Sequence, residues 1–386
     1  MRDRPHWEFA GLAGTAGHQG GALIYNINYA DGSFHSKRIL KYYDANDFDE
    51  ANEELKMLRM VQTQHIVRLM DSQVQAYNGT FVISEEYVGH GTLEGLFERL
   101  LAREEAGNPF RVPERFLWSV FLCFVRMLLV MKYADEDREE WEDPETVPND
   151  GRVRPMIRHN DIYGRNVLIS DLGEGEHANG PLLKLIDFGS AEIFNPKKIF
   201  NPQDGSIIEQ KDDHTPDNLW QAAYVVAALA AGRFADVQPF LQTDEYAESD
   251  GSNERGNMWE TITFKRIDRP GSLLHVLRRC LNDTDSIDIE QLFRICQEKV
   301  LRPNMQEYRQ QYEEEEEEDI RRMSMYEEDA YIRQFIQEMV LNADVDEEIE
   351  RRRRGKRFSM PMPTRAIRRA SHVIERYHRS GPAHLG

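Results

Sequence analysis

The stretch that decides the fold reads His159-Asn160-Asp161-Ile162-Tyr163-Gly164-Arg165-Asn166, and Asp187-Phe188-Gly189 answers it 21 residues beyond Asn166. Each half sits against apolar sequence. Val167-Leu168-Ile169 follows the first, and Leu183-Lys184-Leu185-Ile186 precedes the second. Two short strands are therefore expected to carry polar loops at their ends. Either half alone reads as a polar loop beside an Asx turn. Both halves in order, each framed by a strand, make a chance arrangement a poor explanation.

Upstream, Ala22-Leu23-Ile24-Tyr25-Asn26-Ile27 and Lys37-Arg38-Ile39-Leu40-Lys41-Tyr42 read as strands joined by a turn at Asp31-Gly32. A helix is expected where Leu55, Leu58 and Val61 recur near a 3.6-residue period. Val67-Arg68-Leu69-Met70 and Thr80-Phe81-Val82-Ile83 are two further strands, the second after Asn78-Gly79. Beyond Gly89-His90-Gly91 the pattern is mainly helical. Phe116 to Met131 is apolar nearly all round, interrupted by Arg126, and reads as a buried helix, as does Ala222 to Ala231.

An Asp five residues before an Asn, followed by a strand-borne Asp-Phe-Gly, resembles the catalytic core of protein kinases. The resemblance covers about residues 7–300 and is similar to kinase-like proteins of filamentous fungi. It implies an α+β, two-lobed kinase-like fold. A small β-rich N-lobe with one helix would span 5–88 and a larger helical C-lobe 89–300, with a charged tail, helical or disordered, over 301–386. It also implies roles. Asp161 is the base, and Asn166 and Asp187 hold Mg²⁺. Lys41, ending an apolar strand, holds the phosphates of ATP and pairs with Glu54, for which Glu53 is a rival. Gly14 and Gly17 belong to the glycine loop, and Glu86-Tyr87-Val88 resembles the hinge whose backbone binds adenine, so Glu86 and Val88 join the nucleotide site. Arg165 supplies charge near the transferred phosphate. Such a site positions a hydroxyl and neutralises phosphate charge.

Several positions depart from the pattern. Setting the glycine loop on Gly14 puts Ala16 and Gln19 where glycines belong. Forcing such residues into a left-handed conformation costs roughly 1–2 kcal/mol, about tenfold in affinity. Asn160 replaces the arginine that normally meets an activation-loop phosphate, so activity without loop phosphorylation is expected. Tyr163 stands where serine/threonine kinases carry lysine. Glu85 falls at the gatekeeper position, where a buried carboxylate is costly unless paired; a one-residue slip would put Ser84 there. No Ala-Pro-Glu closes the segment 190–216, and Asp217 and Asn218 before Trp220 fit the next helix imperfectly. Asp135 to Asn149 reads as an acidic, solvated excursion.

The implied function is ATP- and Mg²⁺-dependent phosphoryl transfer to a protein hydroxyl, of serine or threonine first, with tyrosine left open because Arg165 matches a position where tyrosine kinases often carry arginine. One rival is a pseudokinase that binds nucleotide or scaffolds. A weaker one is a small-molecule phosphotransferase of the aminoglycoside or choline kinase type.

Composition bounds the alternatives. The 386 residues are 40% hydrophobic and 30% charged, with mean hydropathy −0.65, 25 glycines and three cysteines. Collagen, a disulfide scaffold and a membrane bundle are excluded, and no membrane span is expected. A net charge of −20 argues against general affinity for nucleic acid. Cys123, Cys280 and Cys296 read as buried, reduced thiols without metal-ligand spacing. The N-terminus lacks an apolar signal core. The chain is expected to be intracellular, cytoplasmic or nuclear. Residues 301–350 carry 17 acidic and 5 basic side chains, whereas 351–386 carry 1 and 11. The patch Arg351-Arg352-Arg353-Arg354-Gly355-Lys356-Arg357 suits an anionic partner or import factor, or equally the acidic block in cis. Ser324, Ser359 and Ser371 each follow basic residues and are candidate phosphate acceptors.

Overall fold

Alternating apolar and polar residues give the first part of the chain an antiparallel sheet. The computed structural model describes residues 6–13, 22–29, 33–71, 80–136, 145–200, 207–210, 213–231, 266, 268–282, 287–302, 305–315 and 318–341. The architecture is mixed α+β and divides into two compact units. Described residues of the first fall within 1–55 and 69–87, and those of the second within 56–68 and 88–344.

The first unit is a five-stranded sheet in the order β1-β2-β3-β5-β4. Its strands are β1 (His6–Leu12), β2 (Ala22–Asn28), β3 (Phe34–Asp44), β4 (Leu69–Asp71) and β5 (Thr80–Glu86). In β2, Leu23, Tyr25 and Ile27 are buried while their neighbours are half-exposed, the period-2 signature of one covered face. Leu23, Tyr25 and Leu40 form its core with Trp7, Tyr42 and Val82 packed against them. Trp7 and Phe9 stand edge-on to Tyr25 with centroids 6.2 and 5.9 Å away, in the range where the ring quadrupoles attract. The strands expected at 22–27, 37–42 and 80–83 are present. The one expected at 67–70 begins two residues later, and β1 was not foreseen because its alternation is blurred by exposed Phe9 and Leu12. The turns at Asp31-Gly32 and Asn78-Gly79, and the glycine-loop residues Gly14 and Gly17, lie outside the described residues.

The division between units falls within α1 (Phe48–Met60), at Leu55. The second unit is built around α3 (Glu114–Lys132), in which every residue to Met131 is buried. That is the all-round burial expected of a central helix. Against it pack α4 (Thr215–Ala230) and α6 (Ile289–Leu301), while α5 (Leu273–Asn282) lies on α4. In α2 (Leu93–Glu105), the Thr92 hydroxyl caps the helix by accepting from Gly95 N at 3.0 Å. Three hairpin-like pairs interrupt the helices: β6 (Met156–Arg158) with β9 (Glu192–Phe194), β7 (Val167–Ile169) with β8 (Leu183–Leu185), and β10 (Lys197–Phe200) with β11 (Ile207–Gln210). Among the described residues no helix is long and apolar enough to cross a membrane.

The sequence division at 300 does not coincide with a structural one. Helices α7 (Met305–Glu313), α8 (Glu318–Arg321) and α9 (Asp329–Phe335) belong to the second unit, and this segment with the turns Arg322–Glu327 and Ile336–Val340 buries Tyr312, Met323, Ile332, Phe335 and Met339. The described part of the acidic block is thus folded onto the domain, because apolar side chains recur between its charges. The basic patch and Ser359 and Ser371 lie outside the described residues.

Candidate functional site

In the second unit, β6 delivers the chain into the loop His159-Asn160-Asp161, and a 3₁₀ turn (Gly164–Asn166) returns it to β7. The turn lies against the start of α2. A Cβ at Gly164 would come within 3.0 Å of the Glu94 backbone nitrogen, so only glycine fits without displacement. Across the β7–β8 pair, Ile186 N donates to Asn166 O at 3.0 Å, placing Asp187 one residue from the turn.

Asp161 is held at both oxygens. Arg165 Nη2 donates to Oδ1 at 2.7 Å and Asn166 Nδ2 to Oδ2 at 2.6 Å, with a second bond from Nδ2 to Asp161 O at 3.0 Å. The amide of Asn166 thereby commits its donor end and keeps its oxygen as the acceptor end. A carboxylate offers about four lone-pair sites, so Asp161 retains capacity for an incoming donor. Arg165, whose guanidinium also lies over the Tyr163 ring at 4.8 Å, is turned toward Asp161.

Among the described residues two non-glycine residues have positive φ, Asn160 and Asp187, both at 65°. Such backbone costs of order 1–3 kcal/mol and persists where surroundings over-determine it. Both are fastened. Asn160 Nδ2 donates to Ser190 O at 2.9 Å, and the Asp187 carboxylate accepts from Gly189 N at 3.4 Å. Between them, buried His159 accepts from Asp161 N at Nδ1 (3.3 Å), bonds Ile186 O through Nε2 (3.2 Å) and meets the Phe188 ring edge-on at 4.7 Å.

Helix α4 supplies a support the sequence reading left unresolved. Asn218 Oδ1 accepts from His159 N (2.9 Å) and its Nδ2 donates to Ile157 O (2.9 Å). Gln221, one turn on, accepts from Ile162 N (3.0 Å) and donates to Asn160 O (3.1 Å). Asp217, the other candidate there, instead meets His214 (3.1 Å) and Arg158 (3.6 Å) at the surface. Gln221 was missed. Its signal was the three-residue spacing from Asn218, which puts both amides on one helix face.

In the first unit, Lys41 Nζ lies 2.8 Å from Glu54 Oε1 and 3.3 Å from Glu85 Oε1. Both acids are buried. Glu54, not Glu53, is the partner on α1, and the Tyr43 hydroxyl donates to its other oxygen. Burial, then the neighbouring Glu54 charge, pushes the Tyr43 phenol far up, so it stays a donor. Glu85 and Ser84, the two alternatives for the covered position, are both buried, and the burial of Glu85 is compensated. Glu85 is the diagonal cross-strand neighbour of Lys41, whose direct partner on β5 is Ile83. Glu86 closes β5 opposite Arg38, and Val88 is buried at the start of the second unit.

The oxygen donors of Asn166 and Asp187, on backbones one hydrogen bond apart, are the hard set that suits Mg²⁺. The first-unit cluster holds a half-buried lysine against two buried carboxylates. The second-unit cluster holds an oriented carboxylate beside an arginine. No protein-family model and no curated protein matches this chain.

Proposed function

We propose that the chain is an ATP-dependent protein kinase, with Asp161 as the base that orients and deprotonates a serine or threonine hydroxyl. The observation that carries this reading is the bonding of Asp161 to Arg165 and Asn166 on a turn tied through Ile186 to Asp187-Phe188-Gly189. The Lys41–Glu54 pair supports it, as does a mixed α+β chain that divides into a strand-rich unit and a largely helical one, the division that a two-lobed kinase-like fold would have. Mg²⁺, held by Asn166 and Asp187, supplies neutralisation of phosphate charge when bound. The chain's own part is positional. Asp161 accepts the hydroxyl proton on a carboxylate already fixed by two donors. Arg165 places a positive charge at that carboxylate. Lys41 offers an ammonium to the nucleotide phosphates. Asn160 ties the loop to Ser190 through an uncharged bond, which agrees with activity that needs no loop phosphate.

One observation favours the pseudokinase reading. Lys41 faces two buried carboxylates, so the groups around it carry a net negative charge that opposes a polyphosphate. A small-molecule phosphotransferase has no comparable support, because the Asp-Phe-Gly sequence and the hinge-like Glu86-Tyr87-Val88 belong to the protein kinase pattern.

Thermal unfolding with nucleotide tests the shared premise. At a hundredfold excess over Kd a ligand adds about 2.7 kcal/mol, and MgATP should raise Tm by roughly 3–5 °C. The shift should disappear in Asp187→Asn. Failure of saturating MgATP to move Tm in the unaltered chain would overturn both the kinase and the nucleotide-binding pseudokinase.

A further inference from the structure

The second unit contains a cluster that the proposed phosphotransfer does not use. His65 follows α1, Cys123 lies in the middle of α3, and His177 ends a 3₁₀ turn (Gly175–His177) beyond β7. Their ligating atoms all lie within 4.8 Å of one another, with Cys123 Sγ 4.0 Å from His177 Nδ1. The imidazole rings are 5.2 Å apart. Zinc with nitrogen and sulfur ligands separates its donor atoms by roughly 3.3–3.7 Å, so small side-chain rotations close the set.

The surroundings are arranged around His65. Glu145 Oε1 accepts from His65 N (3.2 Å) and pairs with His65 Nδ1 (2.9 Å). Nε2 is buried and has no hydrogen-bond partner among the described residues. A carboxylate on one ring nitrogen with the other aimed at a cation is the usual second layer of a histidine–metal bond. Glu145 is itself held by Arg126, at 3.6 Å, and Arg126 forms a two-pronged bond with Glu176 at 2.7 Å on each arm. The segment that follows His177 packs closely on α3, since a Cβ at Gly180 would lie 2.6 Å from Ser119 Cβ, one helical turn before Cys123.

The charged groups beside the cluster are buried Glu145, half-buried Glu176 and buried Arg126. Adding a thiolate and a divalent ion to them leaves the set neutral.

We propose that His65, Cys123 and His177 bind a zinc-class ion, with water as fourth ligand on the half-exposed His177 side. Two imidazoles and a thiolate select a borderline-soft cation and discriminate against Mg²⁺ or Ca²⁺. The ion clips together three segments distant in sequence: the turn after α1, the central helix α3, and the 175–181 loop. It deepens no step of the phosphotransfer and stands or falls separately from it. No local motif marks the set, because the ligands are 58 and 54 residues apart in the chain. The acidic stretch expected to be solvated supplies Glu145, buried at the second layer.

Metal content and cobalt substitution on the full chain provide the test. As purified, the protein should retain about one zinc per chain, and chelation should lower Tm until Zn²⁺, but not Mg²⁺, restores it. Co²⁺ in the apoprotein should give tetrahedral visible bands and a thiolate-to-cobalt charge-transfer band. The latter should be lost in Cys123→Ser and kept in Cys296→Ser. Since Cys123→Ser alters the central helix, His177→Ala and Glu145→Gln are read for affinity, the second with an expected loss of about 10–100-fold. A metal-free chain whose Tm neither Zn²⁺ nor Co²⁺ raises, preferential retention of copper, or a cobalt spectrum without the thiolate band would each overturn the proposal. The first would leave a hydrogen-bonded Cys–His cluster.

Discussion

At the scale of single residues, the position of Asp161 depends on the side chains of α4 that hold its loop. Asn218 pairs the backbone on either side of Arg158, and replacing it by alanine strands a buried N–H and a buried C=O. Each such group costs about 1–3 kcal/mol, so Asn218→Ala should lower unfolding stability by about 2–4 kcal/mol in urea titrations. Asp217→Ala, at the surface, should change it by less than about 1 kcal/mol. Equal effects would refute the assignment. The sequence brought attention to both positions but could not choose, since the choice depends on helical phase relative to a loop about 60 residues earlier. Glu85 shows the opposite. Its burial was suspected from order alone, and the compensating Lys41 was already a site residue.

At the scale of elements, α3 begins at Pro113 without a local side-chain cap. Its first amides are met instead by Glu327, which accepts from Glu114 N (2.6 Å) and Arg115 N (3.1 Å). That suits the partial positive charge of a helix N-terminus. Burial, then the Glu114 carboxylate, pushes Glu327 up to about 7 despite those amides and Arg266. Tyr312, which donates to Glu114 at 2.7 Å, completes the group facing it. A raised carboxyl binds its proton in the folded state while the unfolded chain has released it. Stability from this group is therefore full below about 4.5 and falls as pH rises toward 7, by up to about 1.4 kcal/mol per pH unit. Glu327→Gln should flatten the pH profile in that window, and parallel profiles would contradict the assignment. This cap is invisible in sequence because donor and acceptor are more than 200 residues apart. The strands and the apolar α3 were legible because their periods are local.

For the whole molecule, the main departure from the sequence reading is the acidic segment after 301. Charge pattern made it an appendage, since six consecutive glutamates, Glu313 to Glu318, dominate the composition. Folding depends instead on Tyr312, Met323, Ile332, Phe335 and Met339, spaced through the same segment. Phe335 meets Phe116 of α3 edge-on at 5.1 Å. Each such side chain contributes about 1.5–3 kcal/mol on burial, and their sum rivals the roughly 5–15 kcal/mol by which a domain is stable. A chain ending at Leu301 should lose its cooperative melt, with Phe335→Ala costing about 3–5 kcal/mol as the graded version. An unchanged melt for the shortened chain would restore the appendage reading. The order of strand-rich and helical parts was legible because local periods record it. The metal cluster and the α3 cap join parts that only the folded chain brings together.

Phosphate incorporation from labelled ATP and Mg²⁺ into a generic acceptor or the chain itself, compared with Asp161→Ala at matched concentration, tests the central claim most directly. The account predicts incorporation by the unaltered chain and its loss, to background, in the variant. Equal background signal from both proteins, with the fold intact by melting, would contradict a catalytic role for Asp161 and leave the chain a pseudokinase.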